Sequence, residues 1–257
     1  MRNIVILAPH PDDEILGCVG VIKSSAPTGN LWVVIATNGD IAGRDLAATR
    51  IEESFAALSR LNVSSGQIIV MGYGDTGMEP EDSFLYRLYH SDGDTVLPSF
   101  VSTSTYHPLH GGQEWFYQMQ KCHGNYTRNN FLYNLETLFL HCAPDEIYVS
   151  SQYDMHGDHY ALYQFVLEAI NRQKISPLVR QYIIHGGDDT QWPERNTDCF
   201  TRPLVCGAPI WKGRTIFKNI DMEEKLGLIE IFKSQITSEY IPSGYLQSFA
   251  KKEEVFV

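Results

Sequence analysis

The chain has 257 residues, 43% hydrophobic and 20% charged, enough apolar mass for a sizeable core and far from the composition of a disordered segment. Lys and Arg number 20 against 31 Asp and Glu, a formal charge of −11 with no basic run, which argues against nucleic acid as a partner because backbone binding relies on clustered positive charge. No apolar stretch reaches the ~20 residues that span a bilayer, and Ile4–Ala8 is too short for a signal-peptide core, so a cytoplasmic protein with no membrane partner is expected. Five cysteines (Cys18, Cys122, Cys142, Cys199 and Cys206) are odd in number and never spaced as CxxC; they read as reduced and mostly buried.

In chain order, the β-branched runs 3–8 and 31–36 read as strands covered on both faces, with a helix between them carrying Ile15, Leu16, Val19 and Ile22 at helical spacing. A helix over 44–61, with Leu46, Ile51, Phe55 and Leu58 on one face, leads to a third strand at 67–71. Thr127 caps a helix to about Cys142, 146–150 is a fourth strand, 157–172 a helix and 179–184 a fifth strand. This alternation predicts one α/β domain over 1–257, a Rossmann-like three-layer fold with a mostly parallel sheet and its functional edge at the strands' carboxyl ends. A long insertion follows the third strand, at about 79–126. Its Phe84, Tyr86, Tyr89, Phe100, Tyr106, Trp115, Phe116, Tyr117 and Tyr126 suit a pocket wall, a satellite core or an oligomer contact. A hairpin is expected around Thr201–Phe217, then a final helix over Met222–Gln235.

Four of the nine histidines fall just past expected strand ends: His10, His156, His159 and His185. His10 is pinned between two prolines and has Asp13 three residues on, a pairing suited to a divalent metal. Helix capping and dipole effects explain Asp12, Asp13 and Glu14 about as well, but not the histidine. His156 and His159 share a helix face by spacing, so they can point into the same site. Two histidines and one aspartate leave a coordination position open for water, the pattern of a catalytic zinc. Ferrous iron suits the same set.

His10-Pro11-Asp12-Asp13-Glu14 together with His156-Gly157-Asp158-His159 resembles the PIG-L (LmbE-like) zinc-dependent de-N-acetylases. Supporting marks are Thr37-Asn38-Gly39-Asp40, Arg50 with Glu53, Gly72-Tyr73-Gly74-Asp75, His185-Gly186, Lys225, Ser234-Gln235 and the stretch 249–256, so the likeness covers nearly the whole chain outside the insertion. It implies His10, Asp13 and His159 as ligands of one Zn2+, Asp12 as general base and His156 as oxyanion stabiliser. It further implies Arg50 and Asp75 as contacts to substrate hydroxyls. From position alone, Arg50 with Glu53 also reads as a surface ion pair, Asp75 as a turn former, and His185 as a pocket or supporting residue.

The activity this implies is hydrolysis of the N-acetyl group of an N-acetylglucosamine-like small molecule. Competing readings are a zinc amidase for a larger acyl or thiol-conjugate amide, a non-catalytic Rossmann-like ligand-binding module, and a metal phosphoesterase. The binding module is disfavoured because Pro9–Asp13 replaces the glycine-rich turn that admits a pyrophosphate, and the phosphoesterase because the ligands suffice for one metal only. A homo-oligomer stays open.

Overall fold

The β-branched runs of the sequence lie at the centre of a sheet covered on both faces. The computed structural model describes residues 2–187, 189–201 and 215–257. Its strands β1 (Ile4–Ala8), β2 (Leu31–Thr37), β3 (Ile68–Tyr73), β4 (Glu146–Ser150) and β5 (Leu178–Tyr182) pair in parallel in the order β3-β2-β1-β4-β5. A two-stranded antiparallel sheet joins β6 (Thr215–Lys218) to β7 (Glu253–Phe256). The helices are α1 (Asp13–Ser25), α2 (Arg44–Arg60), α3 (Phe84–Tyr89), α4 (Trp115–Gln120), α5 (Arg128–Cys142), α6 (Gly157–Gln173), α7 (Met222–Ile229) and α8 (Lys233–Ile236).

Successive strand residues face opposite sides, so Ile6, Val33 and Ile35 pack under α1, α2 and α7, whereas Val5, Leu7 and Val34 pack under α5 and α6. The expected α/β architecture is therefore present, with a parallel five-stranded sheet between two helical layers.

Four local expectations change. The fifth strand stops at Tyr182, not Ile184, because the Ile184 and His185 N–H groups turn to Asp154 Oδ2 at 2.8 and 3.1 Å. The last helix is split into α7 and α8 around Glu230–Phe232. Most of the hairpin expected at Thr201–Phe217 lies outside the described residues, and Thr215–Lys218 pairs with Glu253–Phe256 instead. The insertion's aromatics are chiefly core: Phe84, Trp115 and Tyr126 are buried with Tyr73 and Phe131, Tyr126 stacking on Tyr73 at 5.3 Å, while Phe100 is 70% exposed. Among the cysteines, Cys18 and Cys142 are buried, Cys122 and Cys199 are exposed and unpaired, and Cys206 lies outside the described residues.

Candidate active site

β1 sits between β2 and β4, so chain growth reverses there, and the turns leaving β1 and β4 flank the crevice where open α/β sheets take ligands. The first turn is tied down by Thr37, whose N–H and Oγ1 both donate to the Pro9 carbonyl at 3.0 and 2.8 Å. Asp12 has φ 128°, a conformation costly for a non-glycine residue, on the order of 1–3 kcal/mol. Glu14 Oε2 accepts its N–H at 3.0 Å. Glu14 is itself pushed up to about 8, by burial first and by Asp12 second, so at neutral pH it adds little negative charge to the turn.

The second turn is fixed by His156, which caps α6 by accepting the Asp158 N–H at Nδ1, 3.1 Å away. Gly157 has no room for a side chain, since a Cβ there would lie 2.5 Å from Ser83 Oγ and 2.9 Å from Pro80 Cα.

Three donor atoms converge between these turns. His10 Nδ1 is 3.2 Å from His159 Nε2 and 3.4 Å from Asp13 Oδ2, and His159 Nε2 is 3.2 Å from Asp13 Oδ2. Ligands about 2.0–2.1 Å from a tetrahedral zinc stand about 3.3–3.4 Å apart, so the triangle matches that ion in size. The outer ring nitrogens are occupied: His10 Nε2 meets Asp158 Oδ2 at 3.1 Å, and His159 Nδ1 meets Asp154 Oδ2 at 3.1 Å. With protons held there by the carboxylates, the inward nitrogens and the Asp13 oxygen face one another, an arrangement that calls for positive charge, a proton or a metal, between them. A second trio, His10, His156 and Asp158, lies within similar reach, but His156 Nδ1 and Asp158 Oδ2 are already engaged by the Asp158 N–H and by His10.

The same demand for positive charge appears in the titration of the group. Burial disfavours a charged His10, yet hydrogen bonds to Asp13 and Asp158 override it and push the ring up to about 9. His156 goes the other way: burial first, then the neighbouring His10 and His159, hold it well below the usual histidine range. A neutral His156 that accepts at Nδ1 carries its proton on Nε2.

Asp12 stands beside the triangle. Burial raises its carboxyl to about 6, opposed chiefly by Arg50. Arg50 donates to Asp12 Oδ2 at 3.2 Å and to the Pro11 carbonyl at 3.0 Å, and lies 3.7 Å from Asp75 Oδ2. Gly39, at φ 61°, makes space for that guanidinium, since a Cβ there would come within 2.7 Å of it. The surface pair of Arg50 with Glu53 does not form: Arg50 is buried, and Glu53 instead accepts the N–H and Oγ of Ser234 in α8.

His10, Asp12, Asp13, Arg50, Asp75, His156 and His185 all line one cleft of about 1320 Å³ including its open mouth. His159 is fully buried beneath it. His185 Nδ1 is 2.9 Å from Asp189 Oδ2, and its ring stacks on Tyr245. The insertion's aromatics do not line the cleft among the described residues; the segment from Ser234 to Leu246 does.

Two residues with a clear part in the geometry, Asp154 and Asp158, are given no role by the sequence reading, although they stand inside the motif it singles out. Acids next to the candidate ligand histidines were the available signal. Asp158 also accepts the Leu85 N–H at 2.6 Å, which ties α3 of the insertion to the His10 ring.

Residues 5–170 match PIG-L, described as GlcNAc-PI de-N-acetylase. A diacetylchitobiose deacetylase of Thermococcus kodakarensis is 30% identical over 84 residues, 30% of this chain and 31% of that protein; the matched segment spans about a third of that relative. Among solved structures, the conserved protein TT1542 of Thermus thermophilus aligns with TM-score 0.59 at 16% identity, covering 100% of this chain and 94% of that one. An N,N'-diacetylchitobiose deacetylase from Pyrococcus horikoshii aligns with TM-score 0.53 at 17% identity, covering 93% and 72%. These structural likenesses concern the fold, and the matched residues carry both turns of the cleft: the chain belongs to the PIG-L family, described as GlcNAc-PI de-N-acetylase.

Proposed function

We propose that the chain is a metal-dependent hydrolase that removes the acetyl group from the nitrogen of an amino sugar. The observation that carries this reading is the donor triangle of His10, Asp13 and His159 with the His156 ring beside His10, where His10, Asp12, Asp13 and His156 line one cleft and His159 is buried beneath it. The family match and the deacetylases among the relatives support the same chemistry. Two nitrogens and one oxygen with an open fourth position favour Zn2+, one per chain.

A divalent metal held by these three residues would acidify a water and polarise the amide carbonyl. Asp12 accepts the water's proton: Arg50 engages its Oδ2, leaving Oδ1 for the proton, and burial makes the carboxylate more basic than an exposed one. As the water oxygen bonds to the carbonyl carbon, negative charge grows on the carbonyl oxygen, and His156 donates its Nε2–H to it. Asp12 then returns the proton to the departing nitrogen as the C–N bond breaks, giving acetate and a free amine. Asp75, Arg50 and His185, which line the same cleft, are the groups we assign to the sugar hydroxyls.

The test is acetate release from methyl N-acetylglucosaminide by the metal-loaded protein, with Asp12→Asn in parallel. The variant should keep its metal while kcat falls by ~100-fold or more. Wild-type turnover in the variant would remove Asp12 from the role of base.

A further inference from the structure

The polar floor of the cleft is ringed by apolar side chains. Ile41 and Leu46 contribute from the segment after β2, and Tyr240, Ile241, Pro242 and Leu246 from the segment after α8. Ile41 is 41% and Tyr240 89% exposed. Single exposed apolar residues are ordinary, but a set gathered at the mouth of one cleft, continuous with a reactive floor, marks a surface that a ligand covers.

Charge narrows the ligand further. The described lining residues carry Asp12, Asp13, Asp75, Asp189 and Glu239, against one guanidinium, Arg50, which is buried between Asp12 and Asp75. His185 is already engaged by Asp189. A phosphate or carboxylate on the substrate is normally met by a free Arg or Lys fork, and among the described lining residues none is free to meet it. An anion would instead approach the carboxylates of Asp189 and Glu239.

Resting on the deacetylase reading above, we infer that the cleft is built for N-acetylated sugars joined to an uncharged, apolar group, which lies against Ile41, Leu46, Tyr240 and Ile241, and that it discriminates against anionic glycosides. The sugar hydroxyls meet the polar floor, and the apolar group covers the exposed Ile41 and Tyr240 and the half-buried Leu46 and Ile241.

The test compares four substrates with the metal-loaded protein: methyl and hexyl N-acetylglucosaminide, N-acetylglucosamine 1-phosphate, and the methyl glycoside bearing N-hexanoyl in place of N-acetyl. The hexyl glycoside should exceed the methyl glycoside in kcat/KM by ~10-fold or more, mostly through KM, since each methylene buried adds a few-fold. The 1-phosphate should fall ~10-fold or more below the methyl glycoside, because its charge meets the lining carboxylates and no unengaged Arg or Lys side chain. In Leu46→Lys the hexyl advantage should shrink and the 1-phosphate should gain. A 1-phosphate turned over as well as the methyl glycoside, or no gain from methyl to hexyl, overturns the inference while leaving deacetylation standing. A gain confined to the N-hexanoyl substrate also overturns it, by assigning the apolar wall to the acyl group. Failure of every substrate, the methyl glycoside included, overturns the deacetylase reading and the inference with it.

Discussion

At the scale of single residues, the geometry turns on which ring nitrogen each histidine offers. Asp158 and Asp154 occupy the outer nitrogens of His10 and His159, so the nitrogen each ring would offer a metal, once its proton is displaced, is the inward one. Metal analysis of the purified protein should find about one ion per chain, lost in Asp13→Ala and in His159→Ala; full occupancy in both variants would remove the ligand assignment. Asp154→Asn should keep the fold yet weaken metal affinity by ~10–100-fold, measured by competition with a chelating dye. An unchanged affinity would show that the carboxylate does not orient His159. His156 caps α6 through Nδ1, and a ring held neutral by its surroundings keeps an Nε2–H free for the donor role proposed above.

At the scale of elements, α1 carries both a strained start and an internal break. Cys18 leaves helical geometry at φ −136°, and the backbone groups on either side find other partners: Lys225 donates to the Leu16 carbonyl at 2.8 Å, and Glu254 Oε2 accepts the Gly20 N–H at 2.9 Å. Lys225 and Glu254 also pair with each other at 2.9 Å and are almost fully buried. The ion pair thus clamps α7 and β7 onto the helix that begins with Asp13. Lys225→Met should cost about 3–5 kcal/mol in urea denaturation, because it leaves the buried Glu254 charge without its counter-ion and the Leu16 carbonyl without its donor. Adding Glu254→Gln should restore part of the loss; a double variant no more stable than the single would show that the charge of Glu254 is not the source of the cost. α3 has an analogous part on the other side of the sheet, its Leu85 N–H holding Asp158 against His10.

For the molecule as a whole, the strand order places β1 beside β4 and so brings residues about 150 positions apart into one metal-sized triangle. Folding builds this site, and an ion that binds it would bind only the native state, which would link stability to the metal. Chelation should lower the wild-type Tm by several degrees, and returning Zn2+ should restore it; the Tm of Asp13→Ala should ignore both treatments. Equal sensitivity in the variant would place the stabilising ion elsewhere. Among the described residues no helix is long and apolar enough to cross a membrane.

The sequence by itself determined the parallel α/β sheet, because β-branched runs alternating with 3.6-period segments admit few other arrangements. It also marked both turns of the site, since a histidine between prolines and a closely spaced histidine pair follow strand ends where ligands bind. Other features depended on partners distant in the chain. The ion pair of Arg50 with Asp12 in place of Glu53, the carboxylates behind His10 and His159, the clamp of Lys225 and Glu254 on α1, and the apolar wall after α8 are all contacts that no local spacing encodes. Aromatic content showed that the insertion buries surface, but hydrophobicity has no direction, so only packing decided that Phe84, Trp115 and Tyr126 face the core and not the cleft. Local physics placed the reactive groups at a sheet edge; long-range packing decided their tautomers, their charges and the shape of what they can hold.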